Sequence, residues 1–227
     1  MKTLIKEKKI YFLLIIAVLA VLVILFVLKP LIFKREPEYF LETTIDEQTR
    51  GELYERIAKN NEILQEFPND YNAQMDQGNI QSQLGNASKA IEYFKKAWET
   101  IPTNATPWLN IGNIYIKLGL YKEAEDAFLK ARDIRSNYYL PYFNLAKLYK
   151  DYYVEKEDQV RSIYLEGLIK TNNDYELLYF FIQYLLEKEI YSEALEYLKI
   201  FVVKVQDQSS QQWALEKINE LEEKLSG

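Results

Sequence analysis

Between residues 105 and 138, large apolar residues recur every three or four positions on either side of Gly119. Such spacing places the apolar side chains on one face of a helix, and the glycine divides the stretch into two helices joined by a tight turn. Small residues recur as well. Gly112 and Ala124 lie where the two helices would approach closely, and a larger side chain there would push them apart. The stretch therefore predicts a pair of antiparallel helices.

The same arrangement recurs along the chain at an interval of 34 residues. Five positions are identical in the first two copies, where Gly78, Gly85, Ala90, Phe94 and Ala97 precede Gly112, Gly119, Ala124, Phe128 and Ala131 by this interval. The third copy has two inserted residues in its turn, and in the fourth Ala194 stands 34 residues beyond Val160. The pattern predicts four helix pairs, at residues 71–104, 105–138, 139–174 and 175–208.

A helical pair of this length, with this order of large and small residues, resembles the tetratricopeptide repeat. The positions that carry the resemblance are Gly78, Ala90, Trp108, Gly112, Tyr115, Ala124, Phe128 and Ala194. It covers residues 71–206 and implies an all-α fold in which about four helix pairs stack into an α-solenoid. The first repeat departs from the pattern, because Gln74, Gln77 and Gln81 stand where large apolar residues are expected.

Amphipathic segments flank the repeats. Residues 46–70 predict a helix with Leu53, Ile57, Leu64 and Phe67 on its apolar face, and residues 209–227 predict another with Ala214, Ile218, Leu221 and Leu225. We interpret both as capping helices, since a stack of repeats otherwise ends in an exposed apolar face. The alternative for the last helix is that its stripe serves as a partner surface.

Residues 10–28 form an unbroken run of 19 apolar residues. As a helix this run would extend about 28 Å, close to the roughly 30 Å of a bilayer core. We interpret it as a single-pass transmembrane helix, with a basic tail at 1–9 and a juxtamembrane linker at 29–45. A cleaved signal peptide is the alternative, but its apolar region would be only about 7–15 residues long.

Basic residues on both sides of this run leave two orientations open. Lys2, Lys6, Lys8 and Lys9 precede it, whereas Lys29, Lys34 and Arg35 follow it. The positive-inside tendency favours a cytoplasmic N-terminus and therefore an extracytoplasmic repeat domain. A cytosolic repeat domain is the alternative.

Charge and composition argue against several classes of function. The chain has 34 Asp and Glu against 28 Lys and Arg, and seven of the basic residues precede Glu36, so the remainder is strongly acidic. Nucleic acid is not an expected partner, because phosphate binding needs a basic face. The chain has no histidine and no cysteine, which removes the commonest metal ligand and the thiol nucleophile. We therefore expect no enzyme activity, no cofactor and no metal.

The resemblance also implies a concave surface, lined by the first helix of each pair, that holds an extended peptide or a helix of a partner protein. Transferring the inward-facing positions of the family gives a set of groove candidates: Met75, Asn79, Gln83, Leu109, Asn110, Asn113, Ile116, Lys117, Phe143, Asn144, Lys147, Tyr179 and Gln183.

Two of these candidates resemble an asparagine ladder that grips the main chain of a peptide. Asn110 and Asn144 are 34 residues apart, and an amide offers both a donor and an acceptor. The alternative is that they bond to each other or to a neighbouring helix. A clamp for a C-terminal carboxylate is not expected, because Met75 and Leu140 stand where such a clamp needs lysines.

Tyrosines are concentrated in and directly before the third repeat, at Tyr138, Tyr139, Tyr142, Tyr152 and Tyr153. They predict either a contact surface or a filling for the gap made by the inserted residues. Taken together, the sequence favours a membrane-anchored adaptor that binds protein or peptide partners and assists the assembly or export of a protein complex. The alternatives are a self-associating structural component, forming a homo-oligomer, and an accessory subunit of a membrane complex.

Overall fold

Ten α-helices follow one another along residues 37–226, the part of the chain that the computed structural model describes. They are α1 (Glu47–Glu66), α2 (Tyr71–Gln83), α3 (Ala87–Thr100), α4 (Thr106–Lys117), α5 (Tyr121–Ile134), α6 (Tyr139–Asp151), α7 (Val160–Lys170), α8 (Tyr175–Glu187), α9 (Tyr191–Lys204) and α10 (Gln208–Ser226). A short 3-10 helix, Val154–Gln159, precedes α7. The basic tail and the predicted transmembrane helix lie outside the described residues. Within the described range, no helix combines the length and the apolar character needed to cross a membrane.

The helices from α2 to α9 form four pairs, and each helix packs mainly against its neighbours in the chain. The prediction of an all-α solenoid of helix pairs is therefore confirmed for the described residues, which contain no β-strand. The helices belong to the compact unit Tyr39–Gly227. A pair cannot bury its apolar face alone, so each one is completed by the pair beside it.

Small residues make the contact within each pair close. Ala90, Ala124 and Ala194 are each fully buried. At Gly78, an added Cβ would lie 2.5 Å from the ring of Phe94, and at Gly112 the ring of Phe128 would lie even nearer. The phenylalanine of the second helix thus occupies the space that a side chain on the first helix would need. This explains why the two residues recur together in the first two repeats.

Hydrogen bonds to buried glutamines contribute to the contact between the α1 region and the first repeat. Gln74, Gln77 and Gln81 of α2 are 3%, 1% and 7% exposed. The Nε2 of Gln77 donates to Oδ1 of Asn61 at 2.8 Å, and the Nε2 of Gln74 donates to the carbonyl of Pro68 at 2.8 Å. Two of the glutamines that break the repeat pattern are therefore buried and bonded to the α1 region.

The apolar face predicted for α1 is only partly buried, with Ile57 and Leu64 half-buried. Leu53 is 3% exposed, whereas Phe67 is 57% exposed and lies just beyond the helix. The reason is that α2 presents amides, so that polar side chains of α1 such as Asn61 are the matching partners.

At the other end, α10 packs against α9. Ala214 and Leu221 are buried, Ile218 is half-buried, and Leu225 is 47% exposed. The helix begins one residue earlier than the predicted Ser209, because Oδ1 of Asp207 accepts the backbone N–H of Ser210 at 2.8 Å.

The tyrosines of the third repeat pack within and between neighbouring repeats. Tyr142 is 1% exposed, and its hydroxyl donates to the carbonyl of Ser136 at 2.9 Å. Tyr152 stacks on Tyr121 of α5 with ring centroids 5.6 Å apart, although 40% of its surface stays exposed. Tyr152 lies two residues before the 3-10 helix, in the turn that contains the two inserted residues.

Candidate peptide-binding groove

A concavity of about 350 Å³ opens between α1, α2 and α4, and we call it the amide concavity. Its lining consists of Arg56, Asp76, Asn79, Ser82, Gln83, Phe94, Asn110, Asn113, Ile114 and Lys117. Five groove candidates, namely Asn79, Gln83, Asn110, Asn113 and Lys117, are brought together in it. Residues three or four positions apart share one face of a helix, which is why α2 and α4 each contribute several of these side chains.

Amide side chains dominate this surface and are available to a ligand. Asn79 and Asn113 are exposed, and Asn110 is half-buried. None of these three side chains hydrogen-bonds to another residue within 37–226. Asparagine is a poor residue for a helix interior, and here no internal bond compensates for it. Each amide can therefore donate to and accept from the main chain of a peptide.

The charges of the amide concavity leave one cation without a partner. Arg56 forms an ion pair with Asp76, whose other carboxylate oxygen accepts from Nδ2 of Asn60 at 2.8 Å. Lys117 is exposed and has no ion-pair partner in the described part of the chain. The surface is thus locally positive, although the domain as a whole is acidic. An acidic ligand group would be attracted to Lys117.

Other groove candidates lie outside the amide concavity. Leu109 is 4% exposed and belongs to the main core, so it presents no open surface. Met75 and Ile116 are half-buried. Ile116 packs against the main core, and Met75 packs against a smaller apolar cluster, which consists of Ala87, Ala90, Ile91, Phe94, Ile111, Ile114 and Ala127. Lys147 is held by Asp151 at 2.5 Å, and this hydrogen bond raises the pKa of Lys147.

Asn144 is half-buried on α6 and does not line the amide concavity. Neither Asn144 nor Asn110 has a side-chain hydrogen bond to another residue in the described range, so the two do not bond to each other there. Their amides are thus unsatisfied by the fold. Gln183 on α8 is likewise half-buried.

Further along the first helices, aromatic rings replace the amides. Phe143 of α6 and Phe180 of α8 have ring centroids 4.1 Å apart, and Tyr179 lies 5.2 Å from Trp213 of α10. Tyr179 is 40% exposed, while the other three rings are half-buried. The groove candidates did not include Phe180 and Trp213. For Trp213 a signal existed, because it stands 34 residues beyond Tyr179 and so continues the repeat spacing into α10.

A family model described as the tetratricopeptide repeat matches residues 81–148. No curated protein matches the chain. Among solved structures, PilF of Pseudomonas aeruginosa is 16% identical, with 78% of this chain and 85% of that chain covered and a TM-score of 0.53. A thermophilic tetratricopeptide repeat protein of Thermus thermophilus is 15% identical, covering 75% of this chain and 93% of its own, with a TM-score of 0.52. MamA is 19% identical, covering 78% and 97%, with a TM-score of 0.50. These likenesses concern the fold alone.

Proposed function

We propose that this chain is a membrane-anchored adaptor, built on the tetratricopeptide repeats that the family match over residues 81–148 indicates. In this proposal the amide concavity holds an extended segment of a partner protein. The observation that carries the proposal is the group of amides from α2 and α4 that have no bonding partner of their own in the described residues. A peptide main chain supplies the matching donors and acceptors.

The shape and charge of the surface support an extended ligand. Phe94 and Ile114 lie at the base of the lining and are almost fully buried, so the accessible surface is formed mainly by the polar side chains. Amides pair with any main chain, so this part of the surface would select little sequence. Lys117 adds a preference for an acidic side chain placed near its ammonium group.

The membrane part of the proposal rests on the sequence. The apolar run at residues 10–28 is long enough to cross a bilayer, and the basic tail before it favours an extracytoplasmic repeat domain. An anchored adaptor raises the local concentration of its partner at the membrane, which would assist the assembly or export of a protein complex.

The test is site-specific photo-crosslinking of the full chain in its native membrane. A benzophenone amino acid replaces Asn113 in one variant and Asp126, an exposed residue of α5, in another. We expect a partner adduct from position 113 and none from position 126. Adding Asn79→Ala and Asn110→Ala should reduce the adduct at least about tenfold, since two amide contacts of about 1 kcal/mol each are lost.

Asn219→Ala is the matched control, because Asn219 is an exposed asparagine on α10. It should leave the adduct unchanged. Equal adducts with and without Asn79 and Asn110 would refute the role of these amides, and equal adducts from positions 113 and 126 would refute the concavity as the binding surface.

A further inference from the structure

Residues 39–43, which the sequence places in a polar linker, run without helical structure across the turn between α2 and α3. We call these five residues the strap. The N–H of Leu41 donates to the carbonyl of Gly85 at 2.7 Å, and the N–H of Ser88 donates to the carbonyl of Tyr39 at 3.2 Å. The N–H of Tyr39 in turn donates to the hydroxyl oxygen of Ser88 at 2.5 Å. Three hydrogen bonds therefore fix the strap backbone at Tyr39 and Leu41.

Alternate side chains of the strap point into the fold. Tyr39 and Leu41 pack against the smaller apolar cluster, and the ring of Tyr39 meets Tyr115 edge-on with centroids 6.5 Å apart. Phe40, between them, is 67% exposed. This alternation is that of an extended peptide bound along an edge, with main-chain bonds for affinity and alternate side chains for specificity.

The contact between the strap and the turn requires a glycine at position 85. Its φ is +84°, and an added Cβ would lie 2.6 Å from the carbonyl oxygen of Leu41. The corresponding turn of the next repeat offers an internal comparison. Gly119 has a φ of +71°, but nothing lies within 4 Å of the Cβ position there. Lys122 also stands where the first repeat has Ser88, so the hydroxyl acceptor is missing.

We propose that the turn at Gly85 is a second peptide-binding site, separate from the amide concavity, and that the strap is its resident occupant. The ligand class is an extended protein segment with an aromatic and an aliphatic residue two positions apart, as in Tyr39 and Leu41. Such a segment binds by exchange with the strap. Three of the residues beside the strap, Ser82, Gln83 and Lys117, also line the amide concavity, so the two sites adjoin.

Exchange is governed by effective concentration. A strap joined to the domain by a short connection competes at an effective concentration on the order of millimolar. A short free peptide therefore binds poorly to the intact chain, and a partner segment binds well only when its neighbouring contacts add to those at Gly85. By this competition the strap prevents weakly binding ligands from occupying the site at Gly85.

The experiment uses a fluorescent synthetic peptide of residues 38–45 and the full chain in detergent. In the Tyr39→Ala, Leu41→Asp double variant the resident strap is released, and we expect the peptide to bind, as read by fluorescence anisotropy. The unaltered chain should bind it at least about tenfold more weakly because its own strap competes. A peptide carrying the same two substitutions should bind neither protein.

Gly85→Ala in the released variant should abolish binding, whereas Gly119→Ala, with the same kind of backbone strain at an uncovered turn, should not. Circular dichroism checks that both variants keep their helices. Equal binding to the intact and released chains would overturn the proposal, and so would absence of binding to the released chain. Asn110→Ala and Asn144→Ala should not alter peptide binding, so this result is independent of the amide concavity.

Discussion

The ammonium nitrogen of Lys156 lies 2.6 Å from Oε2 of Glu125, which ties the two-residue insertion of the third repeat to α5. The hydroxyl of Tyr149 donates to the other oxygen of the same carboxylate. Lys156 also lies 5.2 Å and 4.9 Å from the ring centroids of Tyr149 and Tyr153. Glu125 is only 8% exposed, so the inserted 3-10 helix supplies the cation that a nearly buried carboxylate needs.

Removing this cation should be costly. Lys156→Met keeps the apolar stem but leaves the Glu125 carboxylate without its ion pair, and we expect the free energy of unfolding to fall by about 2–3 kcal/mol. Urea unfolding followed by circular dichroism measures the change. Lys188→Met is the control, because Lys188 pairs with Glu157 and the two side chains are 36% and 39% exposed. That substitution should leave the free energy of unfolding nearly unchanged.

Two of the asparagines proposed to bind a peptide should make the fold less stable than alanine would at the same positions. Asn110→Ala and Asn144→Ala each remove a poor helix former that has no side-chain bond within residues 37–226, so each should raise the free energy of unfolding by about 0.5 kcal/mol. Asn60→Ala should lower it by about 1 kcal/mol, because the 7% exposed Asn60 donates to Asp76 at 2.8 Å. A loss of stability in Asn110→Ala, measured by thermal and urea unfolding, would show that its amide is bonded internally.

Two glycine substitutions should change the free energy of unfolding in opposite directions. Gly112→Ala places a methyl group against the buried ring of Phe128, and we expect it to lower the free energy of unfolding by about 1–3 kcal/mol. Gly51→Ala in α1 meets nothing within 4 Å and should raise it by up to about 1 kcal/mol through helix propensity. Urea unfolding measures both changes. If Gly112→Ala also raised the free energy of unfolding, the predicted clash between its methyl group and the ring of Phe128 would be contradicted.

Alkaline pH should destabilise the domain through its buried tyrosines. Burial raises the pKa of Tyr164, and burial together with the bond to Glu125 raises the pKa of Tyr149. A raised pKa means that the folded state holds the proton more tightly. The stability it contributes is therefore complete below about pH 10, the unfolded pKa, and is lost as pH rises further.

Tyr164→Phe tests this dependence, because the Tyr164 hydroxyl has no hydrogen bond in the part of the chain that the structure describes. The variant should match the parent near neutral pH and lose stability less steeply above about pH 10, as shown by urea midpoints against pH. Tyr54→Phe, which removes the hydroxyl from a ring that is 55% exposed, is the matched control. A parent slope retained in Tyr164→Phe would contradict the assignment.

The order of helices could be predicted from the sequence because it depends on local rules. Apolar residues at helical spacing define one face per helix, and Gly112 with Phe128 defines how closely a pair packs. When these positions recur every 34 residues, each pair finds a similar neighbour, and the stacking follows. The spacing of residues within 71–206 is therefore enough to predict the helix pairs, and no contact between distant segments has to be known.

Only the tertiary structure decided which side chains of the repeats are accessible to a ligand. Leu109 and Asn110 are adjacent, yet one lies in the core and the other lines the amide concavity, because the rotation of α4 against its neighbours fixes where its surface begins. The strap is a clearer case. Residues 39–43 have no helical period, and their docking depends on Gly85, more than 40 residues away in the chain. A pattern within one helix reports its own periodicity, whereas a contact between distant segments exists only once the turns are placed in space.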